Sequence, residues 1–421
     1  YQLRVVSSDE ANFRLFGVNG ANFGSRSGSF SSSNPELRKA LWIRNGTFRL
    51  QGNLFIPTLT EDHDSGYDSD YYIPANGQLW IDGPGVTVQN TAYQESETTV
   101  GGVTGLNVVD GGGAESFSLY GSFRITQGNF NSGSHGFVYW VESRAEIIIE
   151  GGYVDAPGIR AASGSNGKAS YIQSGGTVYL RGNNASTGLE SEPIFSFKQS
   201  DQIFNMSGGF LEIVDGNGGQ AFNVGVKEGN YSATGGTVRI VNDGNLSQGN
   251  DYGFISTSPV YNLELESRNG GSLNLNMESD IQVANNLVID DNATLSMNGN
   301  DLKVAGDYLM RDGGAYSPGN NIITFNGEKN SLITLENGQS LDVYDMVVDK
   351  SSSDYQVHFS TSSNTAARIN NKLRVEKGVL DYGDHLVEVT NDVYVADTLG
   401  RPSTDGRLVL NGTNVQTIET S

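Results

Sequence analysis

The stretch Gly176-Thr177-Val178-Tyr179-Leu180-Arg181-Gly182-Asn183 decides how this chain is read, because it recurs. Gly46-Thr47-Phe48-Arg49-Leu50-Gln51-Gly52-Asn53 repeats it at identical spacing. Copies from Gly121, Gly209 and Gly236 add one or two residues, those from Gly77 and Gly152 are looser, and the starts are 24 to 44 residues apart. Each reads turn, strand, turn: a glycine corner, two apolar residues two apart, then a second corner. A period of two puts both apolar residues on one face. The inward pairs are then Phe48/Leu50, Leu79/Ile81, Phe123/Ile125, Val178/Leu180, Leu211/Ile213 and Val238/Ile240, and Arg49, Trp80, Arg124, Tyr179, Glu212 and Arg239 face out. No copy buries its own apolar face, whereas stacked copies build one continuous column. The expected fold is therefore all-β: an elongated, right-handed parallel β-helix, or β-solenoid. Ordinary hairpins in a sandwich are the alternative.

Four copies carry a double glycine, at 151–152, 175–176, 208–209 and 235–236, where the corner needs positive φ or close packing on the next rung. Asn183, Asn217 and Asn245 at the closing corner suit the left-handed conformation or an asparagine ladder. Residues 1–40 are weakly patterned and read as a cap or a connection to preceding rungs, with strands near Leu3–Val5 and Phe13–Phe16 and a helical turn at Pro35–Ala40. Residues 41–260 read as irregular rungs.

From Tyr261 a longer repeat takes over. Asn285-Asn286 recurs as Asn370-Asn371, Gly306-Asp307 as Asn391-Asp392, and Ile323–Gly327 as Leu408–Gly412, each at an offset of 85. Tyr261–Ser267 matches Tyr344–Lys350 at 83. One module thus spans 261–343, and 344–421 is a second, shorter copy.

The order within 344–418 is Tyr344–Ser352 (an apolar run ending Asp-Lys-Ser-Ser), Asn370–Val375, Gly378–Gly383 and Leu408–Ile418. It resembles the β-solenoid repeats of very large Bacteroidetes cell-surface proteins, including gliding-motility adhesins exported by the type 9 secretion system. The resemblance covers roughly 261–421 and carries no catalytic residue. It implies an extracellular, cell-surface location, a filament of further repeats, passage through secretion machinery and attachment to surface polysaccharide or another cell-surface ligand. Asp397-Thr398-Leu399 resembles the short O-glycosylation motif of that phylum.

The totals agree with many-cornered β structure: 55 Gly against 9 Pro in 421 residues. No long apolar segment is present, so no membrane span is expected. The absence of Cys excludes disulfides and thiolate chemistry. A net charge of −22 repels phosphate backbones, which argues against nucleic acid as a partner. The chain opens on Tyr1 without a signal-like start and reads as a piece of something longer.

Asp62, Asp64, Asp68 and Asp70 alternate around Gly66, a spacing that lets carboxylates converge on Ca2+; the stretch lacks a twelve-residue loop closed by a bidentate Glu, and a solvated acidic loop is the plainer reading. Trp80, Tyr153 and Tyr179 fall at or near outward positions where rings stack on sugars, although such rings also pack across rungs. The function expected is a structural and adhesive segment that binds glycans or surfaces. A polysaccharide lyase or glycoside hydrolase is the runner-up. Asp290-Asp291 is its obvious acidic pair, but it reads as a strand running into a turn, and His63, His135, His358 and His385 lie far apart.

Overall fold

The computed structural model describes residues 3–5, 12–22, 41–56, 59, 71–89, 95–100, 103–108, 117–132, 137–139, 145–161, 168–182, 193–214, 219–244, 250–400 and 405–420. Among these there is no α-helix, only strands and one 3-10 turn at Glu336–Gly338. The chain forms two units, Tyr1–Ile213 with Val226–Ser232, and Val214–Gly225 with Ala233–Ser421. The described pairings are parallel apart from the hairpin Glu95–Val100 with Val103–Val108.

In the first unit the inward residues are placed as expected: Phe48, Leu50, Leu79, Ile81, Phe123, Ile125, Val178, Leu180, Leu211 and Ile213 are all buried. Glu212, expected to face out, is buried as well, because Leu211–Val214 is covered on both faces. The inward residues do not, however, form one column. Phe48, Leu79, Phe123, Ile147, Tyr171 and Phe204 are successive register partners. Ile56, Val88, Phe130, Val154, Val178 and Leu211 form a second series beside it. The copies starting at Gly46, Gly77 and Gly121 feed the first column, and those starting at Gly152, Gly176 and Gly209 feed the second. The motif marks a strand leaving a glycine corner, and each circuit of the chain has two such strands. A third sheet, running Tyr71–Ile73, Phe117–Leu119, Phe137–Tyr139, Ile159–Ala161 and Phe195–Phe197, completes the core.

The hydrogen bonds also close a ring of six strands. Ser122–Asn131 pairs with both Glu146–Ile149 and Tyr153–Ala156, and Ile203–Val214 pairs with both Ser170–Gln173 and Thr177–Leu180. The ring is the two columns side by side, joined by a long strand at each end that passes through the corner between them. Rings fill the space enclosed by the three sheets: Tyr171 lies 5.0 Å from Phe195 and Phe123 lies 4.6 Å from Phe130.

The double glycines have two separate causes. A Cβ on Gly175 would meet the Glu150 carbonyl oxygen at 2.4 Å, so the first glycine is required by close approach. Gly176 has φ 67°, the left-handed region, and its Cβ would sit 2.7 Å from backbone atoms of Gly151 and Gly152. Asn183, Asn217 and Asn245 lie outside the described residues. Left-handed asparagines occur instead at 269, 292, 298 and 337, and side-chain ladders at Asn262–Asn285 and Asp345–Asn371–Asn391.

Near the N-terminus, Leu3–Val5 and Asn12–Asn22 are strands, but not of one pair. The first adds to Leu41–Ile43 and the second to Gly46–Ile56, both in parallel. Residues 35–40 lie outside the described residues.

In the second unit, from Asn262 onward, successive strands visit three parallel sheets in rotation. The first contains Asn262–Ser267, Leu287–Ile289, Tyr308–Met310, Ser331–Leu335 and Gln356–Thr361. The second runs through Leu273–Met277, Ala293–Ser296 and Ala315–Ser317, and resumes after the 3-10 turn as Leu341–Val343, Thr365–Ile369, Leu386–Val389 and Arg407–Leu410. The third contains Ile281–Val283, Leu302–Val304, Ile322–Phe325, Asp345–Asp349, Leu373–Lys377, Val393–Val395 and Ile418–Thr420.

The 85-residue repeat has a physical counterpart at its corners. Asp307 accepts the Leu332 N–H at 2.9 Å, and Asp392 accepts the Thr417 N–H at 3.1 Å. Yet the two copies do not occupy the same sheets. Asn262–Ser267 lies in the first sheet, whereas its counterpart Asp345–Asp349 lies in the third; Ile322–Phe325 lies in the third and its counterpart Arg407–Leu410 in the second. Residues 261–343 contribute eleven strands, not a multiple of three, so each copy starts one sheet away from the last.

Candidate functional site

The outward surface of the first unit carries two different aromatic arrangements. Arg49, Trp80 and Arg124 are register partners on three consecutive strands. The Arg49 guanidinium lies 4.0 Å and that of Arg124 4.2 Å from the Trp80 ring centroid. Each cation is neutralised: Arg49 Nε donates to Asp82 at 2.6 Å, and Arg124 makes a two-pronged pair with Glu150 at 2.7 and 3.0 Å. Burial pushes the Asp82 carboxyl up, but hydrogen bonds from Thr126, Arg49 and Gln51 outweigh it and hold the group below the ordinary value. The Trp80 N–H is also spent, on the Thr126 hydroxyl at 3.2 Å. With a guanidinium arriving from the strand on each side, this indole is a cross-strand staple whose faces are already used.

Tyr153 and Tyr179 are placed otherwise. They stand on adjacent strands with ring centroids 6.3 Å apart and planes 26° from parallel. Tyr153 is 38% exposed, and Phe210, which the sequence reading passed over, is 40% exposed. Asn129, Tyr153, Thr177 and Phe210 are register partners, each one residue beyond its corner glycine. Aligning corners, rather than seeking aromatics between apolar pairs, finds Phe210 from sequence.

The neighbouring column is Asn131, Asp155, Tyr179 and Glu212. Asp155 forms an ion pair with Arg181 at 2.8 Å. Burial raises the Asp155 carboxyl against the pull of that guanidinium. The Tyr153 phenol is pushed up to about 12, first by burial and then by Asp155, so it is a neutral donor at physiological pH. The face thus combines three aromatic side chains with fixed polar groups, the composition suited to a sugar ring, which has apolar C–H faces and a hydroxyl rim.

Of the other sequence candidates, those among the described residues are not assembled into sites. Asp62, Asp64, Asp68 and Asp70 lie outside the described residues, as do His63 and His135; among the described residues no group of three metal-ligating side chains occurs. Asp290 bonds the Asp291 N–H at 2.9 Å and faces Arg311, so that pair belongs to a turn. His358 pairs with Asp381 at 3.0 Å, while His385 meets the Ser363 carbonyl. Neither a known family, nor a curated protein, nor a solved structure matches this chain. Among the described residues no helix is long and apolar enough to cross a membrane.

Proposed function

We propose that this chain is a structural and adhesive segment of an extracellular bacterial surface protein, and that it binds glycan through the face formed by Tyr153, Tyr179 and Phe210. The single observation that carries the reading is the stacked ring pair of exposed Tyr153 and half-buried Tyr179 on adjacent strands. Parallel strands taken in rotation support a winding of the β-helix type, and its right hand follows from the near-universal handedness of parallel crossovers. Such a scaffold spaces side chains at the strand repeat of about 4.8 Å, a rigid comb on which consecutive rings meet one sugar chain. Burying exposed aromatic area without ordering new backbone is an efficient source of affinity.

The test is titration of the protein with a panel of soluble polysaccharides, followed by calorimetry on the strongest hit. Tyr153→Ala, Tyr179→Ala and Phe210→Ala should each weaken binding about tenfold, matching a loss of about 1–1.5 kcal/mol per stacked ring, and Trp80→Ala should leave affinity unchanged. Undiminished binding by the triple variant would remove this face from consideration.

A second reading, cleavage of the bound polysaccharide, draws on Asp155 and Glu212, which flank Tyr179 two strands apart, about 10 Å between backbones. The Asp155–Arg181 ion pair weighs against it. New reducing ends that vanish in Asp155→Asn, with binding intact, would favour cleavage.

A further inference from the structure

We infer that the aromatic strip of the first unit takes an uncharged, unbranched β-1,4-linked glycan of all-equatorial sugars, lying along the stack of strands with one sugar on each strand. The inference rests on the glycan reading above and adds to it the configuration, linkage and direction of the chain.

The rings change sides from strand to strand. Tyr153 and Phe210 stand in one outward column, two strands apart, and Tyr179 stands on the strand between them in the other column. Beside each ring, in the opposite column, is a polar residue: Asp155 next to Tyr153, Thr177 next to Tyr179 and Glu212 next to Phe210. The pattern therefore repeats every two strands, or about 10 Å. With 6.3 Å between the Tyr153 and Tyr179 centroids and about 4.8 Å of it along the stack, the sideways step is about 4 Å. That lies within the width of one pyranose ring with its equatorial hydroxyls, so a single ribbon covers both columns.

An extended β-1,4-linked chain has the same repeat. Each sugar is turned half a turn from its neighbour and advances about 5 Å, so across three strands the mismatch with the protein stays under about 1 Å. The half-turn carries the same hydroxyl edge from one side to the other at every residue, as the polar residues alternate here. It also offers opposite faces of successive sugars to the protein. Since a ring lies under each of three consecutive sugars, both sugar faces must be C–H surfaces. That holds when every ring substituent is equatorial and fails for a sugar with an axial hydroxyl. Charge narrows the choice further. The two columns hold Asp155 and Glu212 but no lysine or arginine, and Arg181 is engaged by Asp155 at 2.8 Å. Glu212 is buried and reaches the strip as charge, so a uronate or sulfate on the chain would lie against like charge.

Calorimetric titration of the full chain with defined hexasaccharides tests this. Cellohexaose and chitohexaose, the glucose and N-acetylglucosamine forms, separate the two sources of the same chemistry. At least one should bind, and Tyr153→Ala should weaken it about tenfold. Maltohexaose (α-1,4), laminarihexaose (β-1,3) and β-1,4-mannohexaose, with its axial hydroxyl, should each bind at least about tenfold more weakly. A β-1,4-linked glucuronate hexamer should also bind weakly, by a margin that narrows in high salt. Asn131 is the register partner of Asp155, so Asn131→Tyr carries the alternation one strand further. It should tighten the hexasaccharide up to about tenfold and leave the trisaccharide unchanged. Asn129→Tyr, which puts a second ring directly beside Tyr153 in its own column, should do neither. A control hexasaccharide bound as tightly through Tyr153, or equal gains at 129 and 131, would overturn the inference while the glycan reading stands. If no glycan of either panel binds, both fall.

Discussion

At the scale of single residues, Lys350 shows how this fold treats a charge. Its side chain is buried at 1% exposure and faces neutral oxygens: the Asn326 carbonyl, the Ser331 hydroxyl at 2.6 Å and the Ala305 carbonyl at 3.4 Å. The ammonium thus ties three successive circuits together at one corner. Burial pushes its pKa down to about 8, below the 10.5 of a free lysine. A folded value below the unfolded one means that the native state prefers the neutral amine. The resulting cost is fully present below pH 8 and is relieved as pH rises toward 10.5. Chemical denaturation across this window should show wild type gaining up to about 3 kcal/mol relative to Lys350→Met. Parallel pH curves for the two proteins would refute the assignment. Trp80 teaches a related lesson: a ring on the outward face is available to a ligand only if neighbouring cations have not already taken it.

At the scale of the strand and its corner, glycine sets the geometry. Gly176→Ala must hold alanine at φ 67° and press its Cβ onto the backbone of Gly151 and Gly152. The left-handed backbone alone costs about 1–2 kcal/mol, and the clash adds to it. Gly229→Ala is the control, since φ there is 89° but nothing lies within 4 Å. Differential scanning calorimetry should find the melting temperature lowered more at 176 than at 229. Equal shifts would mean that close stacking of corners contributes nothing. The aspartates at 307 and 392 play the complementary part, each fixing the N–H that opens a strand 25 residues later.

At the scale of the whole molecule, what matters is that every circuit rests on another. Leu180, fully buried, lies in register between Ala156 and Ile213. Leu180→Asp would place an unpaired carboxylate inside that column, at a cost of several kcal/mol. The first unit should lose its cooperative melting transition; an unaltered one would contradict the inward placement. The alternation of apolar residues, the glycine corners and the 85-residue repeat were all legible in the sequence, because each reflects local backbone geometry or a side chain bonding a few strands away. The placement of the repeats was not. Copies of the glycine motif divide between two columns, and the two long modules begin on different sheets, since which strand becomes a neighbour depends on how many strands complete a circuit. The same holds for the candidate site: Tyr153 and Tyr179 were visible as outward aromatics, but Phe210 joined them, and Trp80 left them, only through cross-strand register. Sequence determined which face of each strand is apolar and where the chain turns, because those are properties of neighbouring residues. Tertiary structure alone decided which strands meet, because register is set by the sum of all the turns between them.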